Sequence, residues 1–91
     1  MIERDVTLLN RQGMHARPAS LLVERANRHP CEILIRKGNR EVNAKSILGV
    51  LTLGAACGET VTLRVDGESP ETEHRALDDL HALFSERFYE E

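Results

Sequence analysis

The sequence predicts an α+β fold in which an antiparallel-rich sheet of four strands is covered on one face by helices, in the order β-α-β-β-(α)-β-α. Three observations carry that expectation. Alternating apolar residues on both sides of Gly38-Asn39 read as a hairpin. Ala19, Leu22, Val23 and Ala26 stand at i, i+3, i+4 and i+7, a single helical stripe. From Ser69 onward a capped amphipathic run closes the chain.

Each element has its own local reason. Val6, Thr7, Leu8 and Leu9 suit a first strand within Ile2 to Asn10, and Asn10-Arg11-Gln12-Gly13-Met14 reads as a loop. The stripe of the first helix follows, and Pro30 stops it. Cys31, Ile33 and Ile35 alternate with Glu32, Leu34 and Arg36 in a second strand. Gly38-Asn39 offers residues tolerant of positive φ at the turn, and Val42 and Ala44 continue on the return strand. Ser46 to Leu53 fits a two-turn helix or a buried strand equally well, since so short an apolar run has no readable period. Val61, Leu63 and Val65 alternate with Thr62 and Arg64 in a fourth strand ended by Asp66-Gly67. In the last helix Ser69 is a good N-cap, Pro70 suits the first position, and Glu71 and Glu73 complement the dipole. Ala76, Leu77, Leu80, Leu83, Phe84 and Phe88 form its expected apolar face.

Composition narrows the function classes. Ninety-one residues without linker, repeat or low-complexity tract read as one unit over 1–91. With aromatics at only 3%, the core must be aliphatic, and a chain this size buries roughly 60–65% of its unfolded surface. A net charge of −3 argues against a nucleic-acid binder. No apolar run approaches the roughly 18–20 residues of a membrane span, and the first residues lack the charged-then-apolar order of a signal peptide. Two cysteines, Cys31 and Cys57, are too few for a disulfide framework. The expectation is a cytoplasmic domain with reduced thiols, Cys57 serving as a small apolar filler.

The chemistry concentrates in Gly13-Met14-His15-Ala16-Arg17-Pro18-Ala19. Proline is tolerated only in the first turn of a helix, so Pro18 places His15 at or next to the N-cap and Arg17 one or two positions inside. Amides at such an end lack intrahelical partners and favour negative charge, while Gly13 frees the loop to present the imidazole outward. A partly unprotonated imidazole is nucleophilic near neutral pH, and a guanidinium beside free amides receives a dianion. Accepting and releasing a phosphoryl group requires that combination, because such transfer rests mainly on positioning and charge stabilisation. There is no Walker-type loop, second base or acidic pair for magnesium, which points to a carrier that depends on partner proteins for catalysis. Taken alone, a His at a helix start with Arg two residues on is also a common surface arrangement.

The segment Gly13-Met14-His15-Ala16-Arg17-Pro18-Ala19-Ser20 closely resembles the active-site signature of the HPr family, the histidine-containing phosphocarriers of the bacterial phosphotransferase system. Asn43-Ala44-Lys45-Ser46-Ile47-Leu48-Gly49-Val50-Leu51 resembles that family's regulatory serine region, and the likeness spans essentially the whole chain. The resemblance implies an open-faced β-sandwich of four antiparallel strands with three helices on one side, and so a short helix at Ser46–Leu53. It implies phosphorylation of His15 on Nδ1 by phospho-Enzyme I, which draws on phosphoenolpyruvate, and transfer onward to Enzyme IIA proteins. It gives Arg17 and the amides of Ala16 and Arg17 the role of holding the phosphate, and makes Ile47, Leu48 and Leu51 the partner-docking patch. Lys45-Ser46-Ile47 followed by Gly49 looks like the branch in which Ser46 is phosphorylated by an HPr kinase/phosphorylase and a transcriptional regulator responds. By its position alone Ser46 reads first as a structural N-cap.

Other readings stand beside this one. The nitrogen-regulatory paralogue shares the His15 signature. A non-carrier regulatory module of the same fold would lack the histidine, and a self-sufficient enzyme would need a pocket motif the chain does not show. A carrier that visits several partners through one face favours a monomer. No cofactor or metal is expected: His29 with Cys31, and His74 with His81, lack metal-ligand spacing. Glu24, Arg25, Arg28, Asp78, Asp79, Glu86 and Arg87 read as solvated helix faces, and Tyr89-Glu90-Glu91 as an acidic end without diagnostic value.

Overall fold

The computed structural model describes residues 1–90; Glu91, at the acidic end, lies outside them. The chain runs β1 (Ile2–Thr7), α1 (Ala16–Ala26), β2 (Glu32–Lys37), β3 (Arg40–Asn43), α2 (Ile47–Thr52), β4 (Thr60–Asp66) and α3 (Pro70–Ser85). The strands form one sheet in the order β1-β4-β2-β3, every pairing antiparallel. Period-2 patterning sets the register: Val6 faces Val61, Ile33 faces Val65 and Ile35 faces Leu63, all buried. A slip of one residue would turn this set out to water.

The helices cover only that inner face. α1 contributes Pro18, Ala19, Leu22 and Ala26, and α3 contributes Ala76, Leu77, Leu80, Leu83 and Phe84. Each leucine or phenylalanine among them is worth about 1.5–3 kcal/mol on full burial. The outer face stays polar and is laced by charge pairs, Arg64 lying 3.5 Å from both Glu3 and Glu41 and Arg36 lying 3.8 Å from Glu3. The expected open-faced arrangement, with helices on one side, is therefore what the chain adopts.

The ambiguous apolar run is helical. Ser46 has extended backbone, and its hydroxyl accepts a hydrogen bond from the Gly49 amide at 3.2 Å, which starts α2. Ser69 starts α3 in the same way by accepting from Thr72, with Pro70 behind it. Glu73 does more than complement a dipole. It is buried, accepts from the Gly67 amide at 2.9 Å and pairs with the N-terminal amine at 2.8 Å, and these bonds hold its carboxyl below the usual range.

Several expectations are corrected. At the hairpin only Gly38 takes positive φ (62°), whereas Asn39 does not, as in a turn of the II′ kind. β1 ends at Thr7, although Leu8 is still buried and its amide donates to the Glu59 carbonyl at 3.0 Å. Cys57 is exposed and fills nothing. Arg25 and Asp79 are not simply solvated: Asp79 accepts from Arg25 at 2.7 Å and contacts His29 Nε2 at 2.6 Å, joining α1 and the turn after it to α3. Partial burial works to raise the Asp79 carboxyl, but its bonds to His29 and Arg25 win and hold it low.

Phe88 is the largest departure. It does not belong to α3, which ends at Ser85. Arg87, Phe88 and Tyr89 instead form a single left-handed turn, with φ of 56°, 53° and 60°. That conformation costs an L-residue roughly 1–2 kcal/mol each time. Burial of the Phe88 ring offsets part of it: the ring is fully enclosed and meets Phe84 edge-to-face, centroids 4.9 Å apart.

Candidate functional site

The loop before α1 is held from both sides. The Gly13 amide donates to the Asn10 carbonyl at 3.1 Å, and the Met14 amide donates to Ala55 at 2.9 Å. The second bond sets the loop that follows α2 beside the loop that precedes α1. Gly13 has φ of 69°, and a Cβ there would lie 2.7 Å from the Ala55 carbonyl oxygen and 2.8 Å from Ala56 Cα. Both neighbours are backbone, so neither can swing away. Gly13→Ala is accordingly expected to lower stability by about 2 kcal/mol or more in urea unfolding. Gly38→Ala, at positive φ but with open space around it, should cost less.

His15 is the N-cap of α1. Its backbone is extended and its carbonyl accepts from Ala19 at 3.0 Å, but its side chain caps nothing. Pro18, buried in the third helical position, has no amide to satisfy. The amides of Ala16 and Arg17 are thus left without partners among the described residues. The imidazole is about one-third exposed. Its Nε2 lies 3.0 Å from Glu90 Oε2 and 3.2 Å from Oε1, and its Nδ1 has no protein partner among the described residues. Arg17 is exposed and lines an open pocket of about 410 Å³ with Arg11, Gln12, Tyr89 and Glu90. The structure therefore brings together His15, Arg17 and the Ala16 amide.

The remaining expected residues form a second group on α2. Ser46 occupies the N-cap position described above, and Ile47, Leu48 and Leu51 are exposed, Leu48 by 73%. α2 packs on α1, and the loop that follows it is bonded through Ala55 to the loop that carries His15.

Glu90 and Asn10 complete the site, and local sequence gave no sign of either. The Asn10 side chain is fully buried; its Nδ2 donates to the Gly13 carbonyl at 2.7 Å and to Glu90 Oε1 at 3.0 Å. Desolvation pushes the Glu90 carboxyl up, but its bonds to His15 and Asn10 and the charge of Arg17 outweigh it and hold it low. The tether therefore holds above the ordinary carboxylate range and lets go as pH falls through the lowered value. The other histidines are occupied elsewhere: His29 with Asp79, His74 Nδ1 with the Pro70 carbonyl at 2.8 Å, and His81 Nδ1 with Arg4 at 2.9 Å.

Residues 2–86 match the family described as the PTS HPr component phosphorylation site. The chain is 42% identical over 91 residues to the phosphocarrier protein HPr of Treponema pallidum, covering 100% of both chains. It is 41% identical over 90 residues to that of Cupriavidus necator, covering 99% of this chain and 98% of the other. The crystal structure of HPr-C-His from Thermoanaerobacter tengcongensis superposes with a TM-score of 0.93 at 38% identity, covering 100% of this chain and 99% of that one. The chain belongs to the HPr family of phosphocarriers of the phosphotransferase system.

Proposed function

We propose that this chain accepts a phosphoryl group on His15 Nδ1 from phospho-Enzyme I and passes it to Enzyme IIA proteins during sugar uptake, acting as one HPr unit in the cytoplasm. The observation that carries this reading is His15 at the open start of α1, beside Arg17, with its Nδ1 and the amides of Ala16 and Arg17 unpaired among the described residues. The Nδ1 lone pair attacks phosphorus, the bond to the donor breaks, and the donor keeps that electron pair. Arg17 and the amides of Ala16 and Arg17 neutralise the incoming oxygens. The exposed trio Ile47, Leu48 and Leu51 suits brief docking of partners next to the reacting group. The chain works as a monomeric carrier whose catalysis is completed by the partners. Incubation with Enzyme I and labelled phosphoenolpyruvate should yield one acid-labile, base-stable phosphate. An acid-stable label, or none, would overturn the reading.

Ser46 is proposed as a regulatory phosphorylation site for an HPr kinase. A phosphate there suits the start of α2 yet repels acidic partner surfaces. Ser46→Ala should cost about 1 kcal/mol through the lost cap and abolish acid-stable labelling by the kinase. An unmodified wild-type chain in the same incubation would remove the proposal.

A further inference from the structure

We propose that Glu90 is a positioning residue that holds His15 as the Nε2–H tautomer, so that the Nδ1 lone pair is the one presented to the phosphoryl donor. The inference rests on the carrier reading and specifies how its nucleophile is prepared. Both oxygens of Glu90 lie within hydrogen-bond distance of Nε2, at 3.0 and 3.2 Å. A carboxylate only accepts, so the ring nitrogen facing it must carry the hydrogen. In a neutral imidazole the other nitrogen is then bare, and Nδ1 is the nitrogen with no protein partner among the described residues.

Glu90 is itself held. Asn10 Nδ2 bridges Glu90 Oε1 and the Gly13 carbonyl, and both contacts are acceptors, so the amide nitrogen must point toward them. The chain reaches this point through the left-handed turn at Arg87–Tyr89, with the Phe88 ring seated against Phe84 as its anchor. Strained backbone persists where surrounding contacts over-determine it, and here it delivers a carboxylate to a ring 75 residues away in sequence. Asn10 and Glu90 together act on His15 as the acidic residue of a catalytic triad acts on its imidazole.

The chemistry explains what such a device gains. With hydrogen on Nε2, forming the Nδ1–P bond and breaking it again require no proton movement. The phosphorylated ring keeps its Nε2–H, and the positive charge it gains faces the Glu90 carboxylate. On handover the electron pair of the Nδ1–P bond returns to Nδ1. The opposite tautomer would aim its lone pair at an anion and present a hydrogen to the donor.

The test uses the full chain labelled with 15N-histidine, as wild type, Glu90→Ala and Glu90→Gln, near neutral pH. Imidazole 15N shifts and couplings report the tautomer, and His74 and His81 serve as internal references. The wild type should show His15 predominantly as Nε2–H. Both variants should move toward a mixed population, because Ala removes the acceptor and Gln can also donate. Phosphorylation by phospho-Enzyme I at saturation should slow by about tenfold, with KM for phospho-Enzyme I unchanged. A wild-type ring protonated on Nδ1, variant spectra identical to wild type, or an unchanged rate would each overturn the proposal. Failure of the wild type itself to take up phosphoryl would instead bring down the carrier reading on which it rests.

Discussion

Replacing His15 by Ala is expected to reduce phosphoryl uptake from phospho-Enzyme I to background while leaving the fold intact. No other histidine can stand in. His29 lies against Asp79, His81 against Arg4, and His74 has Nδ1 on its own helix's backbone, so none joins an imidazole to the unpaired amides at the start of α1. The imidazole caps nothing and is partly exposed, so stability should change by no more than about 1 kcal/mol. Arg17→Ala should slow transfer by roughly 10- to 100-fold, since one charge-assisted bond to an oxyanion contributes about 1.5–3 kcal/mol. The graded pair matters: loss of the nucleophile ends the reaction, whereas loss of the anion's receptor only weakens it. Single-turnover labelling with urea unfolding on the same preparations measures both. Label retained in a folded His15→Ala protein would relocate the acceptor.

Much of this site is written in neighbouring residues. Gly13, His15, Arg17 and Pro18 act through local backbone geometry, with Pro18 fixing where the helix can begin and Gly13 taking an angle closed to other residues. The strands follow likewise from alternation, because burial on one face is a period-2 property of the chain. α2 was different: eight residues carry too little periodicity to tell helix from strand, and the Ser46 cap becomes decisive only once the backbone is helical. Asn10 and Glu90 were invisible for a stronger reason. Nothing in a loop asparagine announces that it will be buried, and Glu90 is 75 residues from the ring it touches. Phe88 misled in the same way. Its spacing of four from Phe84 is a helical spacing, yet the helix stops at Ser85 and the left-handed turn brings the ring back to its neighbour. Arg25 and Asp79 look like solvated charges until α1 and α3 are laid side by side.

Phe88→Ala is expected to be strongly destabilising, and to affect function by a route that separates it from an ordinary core mutation. Removing a fully buried phenyl ring costs about 3–5 kcal/mol, a large share of the 5–15 kcal/mol that holds a domain together. Release of the left-handed strain returns part of this once the ring no longer forces the turn, so a net loss of about 3 kcal/mol is expected. At this chain length that is a fall in Tm of roughly 12–24 °C. Leu48→Ala, at a side chain 73% exposed, should stay within about 0.5 kcal/mol in the same measurement. The second effect concerns the site. Without its anchor the terminal segment no longer holds Glu90 against Nε2, so His15 in the folded variant should lose its tautomer preference as it does in Glu90→Ala. A core leucine on α3 such as Leu80, truncated to Ala, should lower Tm comparably yet leave the His15 spectrum unchanged, because Leu80 lies in the helix and not in the turn that carries Glu90. Equal spectral change in both variants would mean that the imidazole answers to general loosening of the core, and would detach the aromatic pair from the control of the nucleophile.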